Sequence, residues 1–292
     1  MTCLVHLTPL DPRYPGRLRS LPEPPASITV SGGAIEASRA VAVVGSRAAL
    51  PDSLHFARDL AGALARAGVA VVSGGAEGVD CAAHEGALHA GGRTWAVAGT
   101  GHEHCFPASH ESLFATIGRG PGAMVWPFAP AYQGRSGFLL RNRVLIALSD
   151  AVVVVQAGFP SGALQAASWA KKLQKPLWVV PAAPWMSGFD GSRQLLEEGA
   201  RPLVSSDALL RTLGIAGSSL AASASNTAVA LPEVARSEAA TAILAALSPS
   251  PSHADAIAGR ARLSAQVTTA TLLTLALEDV VVEGPPGFFR RR

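Results

Sequence analysis

Lysine is nearly missing from this chain. Of 24 basic residues three are lysine (Lys171, Lys172 and Lys175) and 21 are arginine. Arginine prefers planar anions such as phosphate, so the skew is compatible with nucleic acid, and equally with codon bias. Charged residues make up only 15% and aromatics 5%, which implies a lean surface over an aliphatic core. The 49% of apolar residues excludes a disordered chain. Three cysteines, Cys3, Cys81 and Cys105, form no C-x-x-C pair. That argues against a disulfide framework and a zinc ribbon and makes a reducing compartment the default. No basic segment followed by a long apolar stretch opens the sequence, so no signal peptide is expected. The apolar runs, such as residues 151–155, are far too short for a membrane span. The expectation is a soluble, cytoplasmic protein with no membrane partner. A formal net charge of +3 points only weakly to a polyanion.

Composition divides the 292 residues into four parts. Residues 1–38 are rich in proline (Pro9, Pro12, Pro15, Pro22, Pro24, Pro25) and read as an irregular strap. Residues 39–212 alternate continuous apolar runs with helical stretches. Residues 213–235 are small and polar without hydrophobic period, a flexible-linker composition. Residues 236–292 return to helical periodicity and end in a short β-like pair. In the second part, strands are expected at 41–44, 69–72, 94–98, 123–125, 151–155 and 177–180. Helices are expected at about 51–67 and 79–89. Strands that are apolar throughout and separated by helices imply a parallel sheet covered on both faces. The fold class expected is α/β, a Rossmann-like doubly wound, mostly parallel sheet, plus a small C-terminal winged-helix domain. Ligands of such sheets sit at the carboxyl ends of the strands.

Four segments fall along that crevice. Gly45-Ser46-Arg47 follows the first strand; glycine permits a tight turn, and Arg47 is either a crevice cation or a solvated loop residue. No G-x-G-x-x-G is present there, so a dinucleotide cofactor is not expected, nor any other cofactor. The second segment, residues 73–84, carries Gly74, Gly75 and Gly78. It leads into Asp80 and His84, one helical turn apart. Asp80 is read as a structural cap at the helix start in preference to a catalytic carboxylate, and His84 as a packed residue. Third, Arg141-Asn142-Arg143 offers two cations and an amide, read either as one arginine in the crevice with the other packed outward or as a solvated helix start. Fourth, Ser161-Gly162 opens a helix whose free amides make a phosphate seat. Ser161 has no G-x-S-x-G setting, and His102-Glu103-His104-Cys105 is too tightly spaced for four converging ligands. Neither a hydrolase nor a metal site is expected.

Taken in order, these segments resemble the DNA-processing protein A family (DprA, also called Smf). The resemblance rests on VAVVGSR at 41–47, VVSGGAEGVD at 71–80, AHEGAL at 83–88, TWAVAGTG at 94–101, Arg141-Asn142-Arg143 and SGAL at 161–164. It covers about residues 11–212. It implies a non-enzymatic, homodimeric binder of single-stranded DNA that acts in DNA uptake, competence and natural transformation. In that role it protects incoming strands and loads a RecA-type recombinase for recombination. The phosphate-binding residues it implies are Gly45, Ser46, Arg47, Gly74, Gly75, Gly78, Arg141, Asn142, Arg143, Ser161 and Gly162. The chain departs from the family pattern at Pro160, at Trp126-Pro127 and at Ala182. A competing reading is a nucleotide-binding or nucleotide-hydrolysing protein of the lysine-decarboxylase-like group. Gln165 stands where that group has its catalytic glutamate nearby, which favours binding over hydrolysis. In the C-terminal part, helices are expected at 238–247, 252–258 (capped by Ser252) and 264–278, with a wing at 280–283 and 288–291. The third of these helices has no Lys or Arg, so this part is read as an interaction module, not a reader of sequence.

Overall fold

Runs of Val and Ala build the centre of the molecule. The computed structural model describes residues 4–215, 233–248, 250–277, 280–284 and 287–291. It divides into two units, Met1–Ser218 and Ser219–Arg292. The first unit contains, in chain order, β1 (Leu4–Leu7), α1 (Gly16–Arg19), β2 (Ile28–Gly32), β3 (Ala40–Val44), α2 (Pro51–Arg66), β4 (Ala70–Ser73), α3 (Val79–His89), β5 (Thr94–Val97), α4 (Glu111–Arg119) and β6 (Ala123–Trp126). It continues with α5 (Gly137–Leu140), α6 (Asn142–Ala147), β7 (Ala151–Val154), α7 (Gly162–Lys172), β8 (Leu177–Val179), α8 (Asp190–Glu197), β9 (Arg201–Pro202) and α9 (Ser206–Thr212).

The nine strands form one sheet in the order β1-β2-β6-β5-β4-β3-β7-β8-β9. From β6 to β9 every pairing is parallel, as the apolar runs imply. Side chains alternate across the sheet, so Ala40, Ala42 and Val44 of β3 enter one core while Val41 and Val43 enter the other. Both faces are thereby sealed by helices. α2 is wound by Pro51 at its first turn and buries Ala57, Leu60, Ala61 and Leu64 at helical spacing.

The N-terminal segment is more ordered than an irregular strap. β1 pairs antiparallel with β2, and β2 pairs antiparallel with β6. Two short strands among prolines leave little periodicity to read, and it is pairing with β6 that makes β2. The rest of the segment is pinned by single contacts. The buried Tyr14 hydroxyl donates to the Pro25 carbonyl at 2.9 Å. Arg17 pairs with Asp150 at 2.8 Å, and the same Asp150 oxygen accepts the Ala40 amide at 2.7 Å.

The second unit holds α10 (Glu233–Ala246), β10 (Ser252–His253), α11 (Ala254–Ala261), α12 (Ala265–Leu277), β11 (Val281–Glu283) and β12 (Phe288–Arg291). Its three strands are ordered β10-β12-β11, and Ile243, Ile257, Leu272 and Phe289 meet in its core. This is the three-helix, winged arrangement expected. Ser252 is not the cap of the second helix: it lies in β10, and the His253 ring accepts the Asp255 amide instead. Residues 216–232, most of the expected linker, lie outside the described residues. Among the described residues no helix is long and apolar enough to cross a membrane.

Candidate nucleic-acid interface

The sheet order reverses between β3 and β7. After β3 the chain moves outward through β4, β5 and β6, then returns to place β7 on the other side of β3. The two loops leaving β3 and β7 therefore diverge and open a crevice, the position where doubly wound sheets take ligands. Gln156 joins the two loops. Its carbonyl accepts the Ser46 amide at 2.8 Å and its side-chain oxygen accepts the Leu50 amide at 2.9 Å. The residue is 2% exposed, so it fixes the crevice and does not face a ligand.

A cavity of about 450 Å³ lies at this point. Its lining includes Gly45, Ser46, Arg47, Arg141, Asn142, Ser161 and Gly162, which unites the expected first, third and fourth segments. Ser161 caps α7, its hydroxyl accepting the Leu164 amide at 3.3 Å, so the positive end of that helix opens on the cavity. Asn142 is oriented by Gln165, to which its amide donates. Arg47 is exposed and lies over the Phe138 ring, 5.6 Å from the centroid. A second cavity of about 630 Å³ adjoins the first and shares Arg47, Phe138 and Leu139 with it. It adds the exposed Arg135, which sequence reasoning missed and which stands one residue before the N-cap Ser136 of α5.

Of the glycine loop, Gly74 lines a small cavity of about 70 Å³ together with Arg47 and Phe138, and the glycines also make room for the protein's own groups. Gly74, Gly75 and Gly78 do not line the cavity of about 450 Å³, where Ala76 and Asp80 stand in their stead. A side chain on Gly74 would fall 1.5 Å from Arg141 Nη1, and one on Gly78 (φ +80°) would fall 2.3 Å from the Ser46 carbonyl oxygen. The Gly75 carbonyl faces the His110 ring at 3.0 Å.

Asp80 is a clamp on that loop, not the cap of α3. The N-cap is Gly78 and no side chain caps it. Asp80 instead accepts the Gly74 amide at 3.1 Å and sits 3.6 Å from Arg141 Nη2. Arg141 also donates to the Val97 carbonyl at 2.9 Å. Burial pushes the Asp80 carboxyl up, and Arg141 with the Ala76 and Gly74 amides pulls it back down. Burial also lowers the Arg141 guanidinium, against the pull of Asp80. Arg143 does not join the site: it points to the N-terminal segment, 3.9 Å from Glu23. Two residues apart on a helix, Arg141 and Arg143 face away from each other. His84 is fully buried beside Thr94, at 2.7 Å, and burial lowers its ring to about 3, so it stays neutral. Among the described residues no group of three His, Cys, Asp or Glu side chains could hold a metal ion.

Residues 5–214 match the family described as DNA recombination-mediator protein A, and residues 227–287 match the DprA winged helix domain. A DprA relative of Mycobacterium tuberculosis is 41% identical over 182 residues, covering 62% of this chain and 46% of its own. The protein Smf of Synechocystis is 34% identical over 217 residues, covering 71% of this chain and 54% of its own. The chain thus spans about half the length of these relatives. The first unit's fold is similar to the DNA processing protein A of Streptococcus pneumoniae, with a TM-score of 0.67 at 29% identity, covering 71% of this chain and 74% of the other. It is also similar to DNA processing protein A from Helicobacter pylori, in a structure concerned with that protein's single-stranded DNA binding mode. There the TM-score is 0.65 at 31% identity, covering 72% of this chain and 95% of the other.

Proposed function

Because the chain belongs to the DNA recombination-mediator protein A (DprA/Smf) family, we propose that it binds single-stranded DNA through the crevice between the β3 and β7 loops. It acts there in DNA uptake and recombination and catalyses no reaction. The observation that carries this reading is the composition of the cavity. Arg47, the Ser46 hydroxyl and the amides at the start of α7 converge on it, a set that grips phosphate without reading bases. Asp80 is the one carboxylate in its lining, and it is engaged by Arg141 and the loop amides, which supports binding over hydrolysis. Incubation with nucleoside monophosphates should release neither base nor phosphate. Turnover abolished by Asp80→Asn would contradict the reading.

The finer parts extend the same proposal. The chain works as a homodimer in the cytoplasm and hands its strand to a RecA-type recombinase; membership of the family supports both. The phosphate contacts are assigned to Ser46, Arg47, Ser161 and Gly162, with Arg141 and Asn142 behind them. Arg47→Ala tests this assignment. A charge-assisted contact is worth about 1.5–3 kcal/mol, so affinity for labelled oligo-dT should fall by at least about tenfold. The circular dichroism spectrum should not change, because Arg47 is exposed. Parental affinity in this variant would remove Arg47 from the site.

A further inference from the structure

Two exposed aromatic rings stand on the loops that leave the neighbouring strands β7 and β8. Trp185 is 85% exposed and Phe159 is 69% exposed. Among the described residues neither packs against another ring or a cation. Phe159 immediately precedes Pro160-Ser161-Gly162, which line the cavity. Trp185 lies on the loop that follows β8, and this loop is laced to the one that follows β7. Gln156 Nε2 donates to the Gly188 carbonyl at 3.4 Å, and the Ala157 amide donates to Ser192 Oγ at 2.9 Å. The turn bearing Trp185 is itself fixed. The Met186 amide donates to the Ala183 carbonyl at 2.9 Å, and Arg193 donates to the Met186 carbonyl at 3.0 Å. Both rings are thus held out to solvent on anchored loops at the carboxyl ends of neighbouring strands β7 and β8.

We propose that Phe159 and Trp185 form a stacking platform for unpaired nucleobases, which carries the bound strand from the start of α7 across the ends of β7 and β8. The inference rests on the reading of the cavity as a single-strand phosphate seat. A phosphate held by Ser161 and Gly162 leaves the bases of the flanking nucleotides outside the cavity. Aromatic faces accept any base, whereas in a duplex the base faces are hidden. A second copy of the chain fits this patch less well. Two rings supply roughly 300–500 Å², short of the ~800 Å² per partner of a stable interface.

The test compares the full chain with Trp185→Ala and Trp185→Phe. The ligands are end-labelled oligo-dT and an abasic oligomer of the same length, read by fluorescence anisotropy. The expected result is about tenfold weaker binding of oligo-dT by Trp185→Ala, near-parental binding by Trp185→Phe, and no difference among the three on the abasic strand. Oligo-dT should also quench the indole emission of the parent, and Trp185→Phe should lose that quenching. Equal binding of oligo-dT by the parent and Trp185→Ala would overturn the platform and leave the phosphate seat standing. Failure of the parent to bind either oligomer would overturn the seat itself. A drop in sedimenting mass for Trp185→Ala with unchanged DNA affinity would overturn the platform by making the patch a contact between copies.

Discussion

Asp80 and Arg141 meet beneath the crevice with side chains 7% and 6% exposed, 3.6 Å apart. Neither is well solvated, so each depends on the other and on backbone partners. Removing one leaves a buried charge without compensation, a loss of about 3–5 kcal/mol. Arg141→Ala should therefore lower the urea midpoint sharply, and adding Asp80→Ala should recover part of the loss. Full additivity of the two substitutions would contradict the pairing. For this reason a loss of DNA binding in Arg141→Ala is a statement about the loop, whereas the same loss in Arg47→Ala concerns the ligand. The sequence shows the two arginines and the glycines but not their partners. Nothing in VVSGGAEGVD reveals that Arg141, 67 residues beyond Gly74, fills the space the glycine leaves. Gln156 is not singled out by the sequence pattern, and its two hydrogen bonds to the β3 loop come only with the sheet.

Among the elements, α7 has the most direct claim on the ligand. Ser161 caps it in extended backbone (φ −150°, ψ 156°), and Ser205 caps α9 the same way (φ −161°, ψ 156°). The pair separates stability from binding. Ser161→Ala and Ser205→Ala should each cost about 1 kcal/mol in chemical denaturation. Only Ser161→Ala should weaken oligo-dT, because only Ser161 lines the cavity. Equal DNA affinities in the two variants would show that α7 does not touch phosphate. The parallel strands were legible because burial on both faces demands apolar residues at every position. β1 and β2 were not, because LVHL and ITVSG are short and take their strand state from β6. The helix Ala254–Ala261 starts two residues later and ends three residues later than the expected 252–258, and its cap shifts from Ser252 to His253 because Ser252 pairs with Phe289.

At the scale of the whole molecule, cations and amides concentrate at one end of one sheet. Arg47, Arg135 and Arg141 line the two adjoining cavities, facing Asp80 and Glu103. The second unit is chemically different. α12, its third helix, reads AQVTTATLLTLAL without a charged residue, so the side chains a groove reader would need are missing from it. On the proposed reading, DNA affinity resides in the sheet crevice and not in α12. The measurement that tests this most directly is the salt dependence of binding by the full chain, with oligo-dT compared to a duplex of equal length. The account predicts tighter binding of the single strand and a linear fall of log affinity with log salt. For two to three phosphates gripped, the slope is roughly −1.5 to −2. Duplex bound more tightly than oligo-dT, or a slope near zero, would contradict it.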